Sequence, residues 1–176
     1  MPHIHTEPGQ HDHTVSIYII RTDFAKPKLL FHFHKKAQLY TQFGGHIEID
    51  ETPWGSVLHE LREESGYDMS QLELLQPRTR PTKIGSAIVH PTPVVHATMS
   101  YHGTAEHFHT DTAYAFTTAE APAHLPEEGE STDIILLSRD EITPEERMDD
   151  ITRDTALYVV DTILPSWQPV SPTEFS

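Results

Sequence analysis

The stretch GHIEIDETPWGSVLHELREESGY, residues 45–67, sets Glu60, Glu63 and Glu64 within little more than one helical turn. Like charges three and four apart on a helix are neighbours and repel, at roughly 0.2–0.5 kcal/mol per pair. So small a cost does not demand a function, and the flanking residues must decide. Thr52 is a candidate N-cap, Pro53 suits the first helical position and Gly66 can adopt the left-handed conformation that ends a helix, which predicts a helix over 53–65. Trp54, Val57, Leu58 and Leu61 follow the spacing of a buried stripe, and the three glutamates fall on another side of the cylinder.

On either side the chain reads as strands. TVSIYIIR (14–21) and KLLFHFHK (28–35) are β-branched and aromatic runs separated by the turn signal TDFAKP, and LYTQFGG (39–45) predicts a third strand that HIEI continues in extended form. Downstream, 71–77, 93–102, 107–116 and 133–138 are strand-like, so the sheet resumes after the helix. A closing amphipathic helix is expected over 143–164, opening at Thr143-Pro144 and burying Ile151, Ala156, Leu157, Val160 and Ile163. With no internal repeat and no long linker, a single domain is expected over 13–165, between a loose lead-in at 1–12 and a proline-punctuated tail at 166–176.

Composition narrows the function classes. The 176 residues carry 27 acidic and 12 basic side chains, a formal charge of −15 that repels nucleic acid and anionic bilayers, and no Lys/Arg cluster offsets it. No cysteine is present, which excludes disulfides, thiolate zinc sites and a cysteine nucleophile. The first residues lack an apolar signal region and no later run is long enough to span a bilayer, so a cytoplasmic protein without membrane or nucleic-acid partners is expected. Protonating all 14 histidines would lift the formal charge to −1, so solubility is expected to be lowest in mild acid.

Gly45, five residues, Glu51, seven residues, then His59-Glu60-Leu61 followed by Glu63-Glu64 and Gly66-Tyr67 resembles the Nudix box, G-x5-E-x7-R-E-U-x-E-E-x-G-U, where U is a bulky aliphatic residue. Two positions depart from the pattern. Tyr67 replaces an aliphatic residue, and His59 replaces an arginine that in the family commonly holds loop and helix together through the first box glutamate, here Glu51. Arg62, three residues further on, points elsewhere and is no substitute.

The resemblance implies an α/β fold, a mixed β-sheet in an α/β/α sandwich. It also implies hydrolysis of the diphosphate linkage in a nucleoside diphosphate joined to another moiety, so the expected partner is a small-molecule nucleotide derivative. Glu60, Glu63 and Glu64 would bind Mg²⁺ or Mn²⁺, with the Gly44 carbonyl as a further ligand, which suits hard cations shared among carboxylates, water and phosphate. Relatives often draw another acidic residue from the loop before a late strand. Glu127, Glu128 and Glu130 occupy that segment, and Glu130, nearest the strand, is the candidate general base or ligand. Relatives are often homodimers. The lost arginine keeps two alternatives open: a nucleotide or sugar-nucleotide sensor domain, and an allylic diphosphate isomerase.

Outside the box, four His-x-His pairs (His3/His5, His11/His13, His32/His34, His107/His109) could offer two imidazoles on one strand face to zinc or nickel, but no carboxylate spacing completes them, and surface or sheet-face roles are expected. Asp111 and Tyr114, in a strand resembling pocket-lining ones in relatives, are candidates for a leaving-group contact beside core roles. Trp54 is read as core, and Phe31, Phe33 and Tyr40 as packing residues rather than a base-stacking pocket.

Overall fold

The computed structural model describes residues 7–100 and 107–175. At its centre β1 (Gln10–Arg21) runs parallel to β6 (His107–Thr118) along twelve register pairs, from Gln10 opposite His107 to Arg21 opposite Thr118. The other strands join antiparallel: β2 (Lys28–His34) pairs with the end of β1, β3 (Leu39–Thr41) and β7 (Ile134–Ser138) pair with β2, and β4 (Glu73–Gln76) and β5 (Val95–Ser100) pair with β6. β8 (Gln168–Val170) closes the edge against β4. The sheet is therefore mixed, as expected.

Alternation along β1 explains the layers. Val15, Ile17 and Ile19 point into a core under α1 (Pro53–Glu60), with Trp54, Val57, Leu61, Tyr114 and Phe116. Tyr18 and Ile20 point the opposite way, into a core closed by α3 (Asp150–Tyr158) through Ala156 and its continuation Val159–Ile163. Burial on both faces makes β1 a continuous apolar run, as a central parallel strand requires. Trp54 is core, nearly parallel to the Phe116 ring with centroids 6.2 Å apart.

β1 parts from β2 over its first half, and the chain at 43–47 fills the gap. The amides of Val15 and Ile17 donate to the carbonyls of Gly45 (2.9 Å) and Phe43 (2.8 Å), and the Ile47 amide donates to His13 (2.9 Å). This wedge carries the box glycines to the first turn of α1, where the Thr52 hydroxyl accepts from the Gly55 amide at 3.1 Å.

Several boundaries differ from the sequence reading. β1 begins at Gln10, because its first residues are ordered by β6, a partner about a hundred positions away. The closing helix starts at Asp150 rather than 143: Asp149 caps it by accepting from the Thr152 amide, while the preceding turn gives the Arg147 carbonyl to Tyr40 and buries Met148. A separate short helix, α2 (Arg139–Ile142), precedes that turn. The tail beyond 166 is docked, with Phe175 edge-on to Trp54. Of the 93–102 segment, residues 101 and 102 lie outside the described residues.

Candidate active site

The box helix does not stay α-helical to its end. From Leu61 to Ser65 it widens into a π turn, with the Ser65 hydroxyl donating to the Leu61 carbonyl, and Gly66 ends it at φ +71°. A side chain at Gly66 would be strained by that angle and would strike the His124 carbonyl. That close approach lets the loop after β6 dock on the helix end: the His124 amide donates to the Gly66 carbonyl (2.9 Å) and the Glu127 amide to the Glu63 carbonyl (2.8 Å).

Widening the turn sends the three glutamates to different partners. Glu64 turns inward, accepts from the Gly44 amide at 2.7 Å and lies 3.9 Å from His32 Nδ1. Glu60 is buried against Gly45, where a β-carbon would overlap Glu60 Oε1 and displace that carboxylate. Glu60 Oε1 accepts no hydrogen bond among the described residues. Glu63 stays half-buried and reaches His59 Nε2 at 2.9 Å. The other ring nitrogen of His59, Nδ1, lies 3.1 Å from Glu51 Oε1, so one imidazole bridges two box glutamates. Arg62 instead faces Glu127 across 3.5 Å, on the outer surface.

Burial dominates the electrostatics. It pushes Glu64 up to about 8 and Glu60 up to about 7; the Gly44 hydrogen bond opposes the first shift and the Glu63 charge adds to the second. The Glu130 charge raises both, which places Glu130 in the field of the glutamates, whereas Glu127 already faces Arg62. His32 is held down at about 4 by burial, so it is a neutral imidazole beside Glu64. For His59 burial acts downward, but its bonds and charge pairing with Glu63 and Glu51 outweigh it and raise the imidazole above its usual value.

Two buried carboxylates with raised proton affinity, one with an oxygen accepting nothing, fit a divalent hard cation. Glu60, Glu64 and Gly44 are brought together, with Glu130 within electrostatic reach, while Glu63 is drawn aside by His59. Among the described residues, the three-residue group with ligand atoms mutually within 4.8 Å is not the glutamates but Asp12, His107 and His109. An open cleft of about 580 Å³ lies beside Arg62, Tyr67, His124 and Glu127, on the outer side of the docked loop.

Other candidates are placed as follows. Asp111 is buried and accepts from the Thr14 hydroxyl at 2.7 Å, and Tyr114 is buried edge-on to Trp54 with its phenol pushed up to about 12. Tyr67 is buried, its hydroxyl donating to the Glu120 carbonyl at 2.9 Å. Phe31 is core, and Tyr40 packs edge-on to Phe33. His3 and His5 lie outside the described residues. Sequence reasoning weighed His32 only as half of a His-x-His pair and did not place it beside the glutamates. Its signal was the alternation of β2, which sets it on the face of Leu30, toward α1.

The profile of the NUDIX domain family matches residues 12–156. Among solved structures, a NUDIX-family hydrolase from Clostridium perfringens superposes with a TM-score of 0.67 at 26% identity, covering 86% of this chain and 97% of that one. The Escherichia coli dihydroneopterin triphosphate pyrophosphohydrolase gives 0.60 at 12% identity, over 87% and 95% of the two chains. The NUDIX domain of Shewanella oneidensis NrtR, in complex with ADP ribose, gives 0.59 at 14%, over 84% and 86%. No curated protein sequence matches. The chain belongs to the Nudix family.

Proposed function

We propose that the protein hydrolyses the diphosphate linkage of a nucleoside diphosphate joined to another moiety, using Mg²⁺ or Mn²⁺ held by Glu60, Glu63, Glu64 and the Gly44 carbonyl. The observation that carries this reading is the pair of buried carboxylates, Glu60 and Glu64, packed against Gly45 and Gly44, with Glu64 facing a neutral His32. When bound, the cation supplies charge neutralisation at the diphosphate and Lewis acidity toward the attacking water. The chain does the rest. The Gly44 amide fixes the Glu64 carboxylate, Gly45 leaves room for Glu60, and burial raises the proton affinity of both, so a bound cation would take the place of the protons they hold near neutral pH. Glu130, held in the loop before β7 by its backbone amide donating to the Glu127 carbonyl (3.1 Å), is the candidate base for the water's proton. Glu63 joins the set by leaving His59.

Formation of mononucleotide and phosphorylated product, resolved by ion-exchange chromatography, across nucleoside triphosphates, sugar nucleotides, dinucleotides and dinucleoside polyphosphates, with Mg²⁺ and with Mn²⁺, tests the reading. Cleavage of a panel member that chelator abolishes is expected. A folded protein that cleaves nothing, yet melts higher with a nucleotide present, would favour a sensor domain. The engagement of Glu63 by His59 is the observation that keeps that second reading in play.

A further inference from the structure

The parallel register of β1 and β6 builds a second cluster, which contains none of the box glutamates. Gln10 lies opposite His107 and Asp12 opposite His109, and alternation turns the side chains of Asp12, His107 and His109 to one face of the sheet. Asp12 is buried, with His107 Nε2 3.2 Å from its Oδ2. His46 approaches the same oxygen at 3.5 Å from the strand-like segment beside β1. The His109 ring stands edge-on to both His46 (centroids 5.2 Å) and His107 (5.5 Å). One ligand atom from each of Asp12, His107 and His109 falls within 4.8 Å of the others.

We propose that Asp12, His107 and His109, with His46 beside them, form a zinc site on the β1–β6 seam. Imidazole nitrogens with one carboxylate are a donor set for zinc, at metal–ligand distances of about 2.0–2.2 Å, and His46 stands beside that set, 3.5 Å from Asp12 Oδ2. Magnesium takes oxygen ligands, so the all-carboxylate box and this histidine cluster select different cations. The site ties the start of β1 to β6 and to the residue following Gly45, against which Glu60 packs. Zinc there would hold the box backbone in place.

The test uses the chelator-stripped full chain and Zn²⁺ alone, followed by calorimetric titration, metal analysis after desalting, and melting temperature. Retention of about one zinc per chain and a raised melting temperature are expected. Asp12→Asn, His107→Gln and His109→Gln should each weaken binding by at least about tenfold, while Glu64→Gln binds zinc like wild type. A wild-type chain that retains no zinc, or His107→Gln and His109→Gln variants that bind it unchanged, would overturn the assignment. Should those variants fail to fold, Co²⁺ added to wild type gives the answer. A visible spectrum of tetrahedral cobalt, displaced by Zn²⁺ and not by Mg²⁺, supports the site, and displacement by Mg²⁺ or absence of the spectrum refutes it.

Discussion

His59 sits between two carboxylates, 3.1 Å from Glu51 and 2.9 Å from Glu63, where the family pattern has a permanent cation. Its raised pKa means that this pairing stabilises the fold fully below the unfolded value near 6.5 and fades as pH rises through the folded value. The side chain is 41% exposed, so screening keeps the effect under about 1 kcal/mol. His59→Ala should therefore lower the melting temperature chiefly in mild acid, and His59→Arg should stabilise chiefly at alkaline pH; melting curves of all three proteins across that range measure it. Parallel curves would show that His59 carries no such load. Glu64 answers to pH in the same direction for another reason. A carboxyl raised from 4.5 to about 8 by burial favours the fold while protonated, so the metal-free protein loses stability, on the order of a few kcal/mol, as pH rises through that interval. Glu64→Gln keeps an acceptor for the Gly44 amide and carries no charge, so without metal it should melt above wild type at pH 8 and close to it at pH 5. In the same mutant, as in Glu63→Gln, kcat should fall by about two orders of magnitude or more, read as initial rates at saturating Mg²⁺. Near-normal turnover in both would remove the metal assignment.

The functional element is the α1 helix with its π turn, and what terminates it matters as much as what starts it. Gly66, at φ +71° and in close contact with the His124 carbonyl, is the point where the 119–131 loop grips the helix. Gly66→Ala should cost about 1–3 kcal/mol in denaturant unfolding, from the left-handed backbone and the displaced carbonyl. It should also release the loop, seen as faster hydrogen exchange at the His124 and Glu127 amides, which donate to Gly66 and Glu63. Slowed exchange, or an unchanged melting curve, would mean that the loop is held elsewhere. The end signals of this helix, Thr52, Pro53 and Gly66, were legible because capping depends on residues a few positions apart. The π turn was not, since the interior spacing of the box carries no mark of it. The start of α3 was misplaced for a related reason: Thr143-Pro144 is a valid local opening, but the carbonyl of Arg147 is taken by Tyr40 in a strand a hundred residues earlier.

At the scale of the whole molecule, charge decides how it behaves in solution. The formal charge of −15 falls in magnitude on acidification as histidines protonate, but His32, held at about 4, and His34, also lowered by burial, lag behind the others. Glu60 and Glu64 act the other way, taking up protons near neutrality. Light scattering of a concentrated sample stepped from pH 8 to pH 5 should therefore rise toward the acid end and reverse when salt-free base restores the charge. Solubility that is flat over that range would show that self-repulsion is not what keeps the protein dispersed. No described helix is long and apolar enough to cross a membrane.

The sequence by itself determined the box and the helix that carries it, because these follow from residue spacing within some 23 positions, and the mixed sheet and the family were what the resemblance of that box implied. It also showed the histidine where the pattern has arginine. Only the tertiary structure decided which groups meet. Asp12 and His109, far apart in the chain, become neighbours through the parallel register of β1 and β6. His32 comes beside Glu64 because β2 and the end of α1 face one another, and Glu60 is buried because Gly45 passes over it. Each of these depends on strand register, which is set by burial of whole faces and not by any local run of residues.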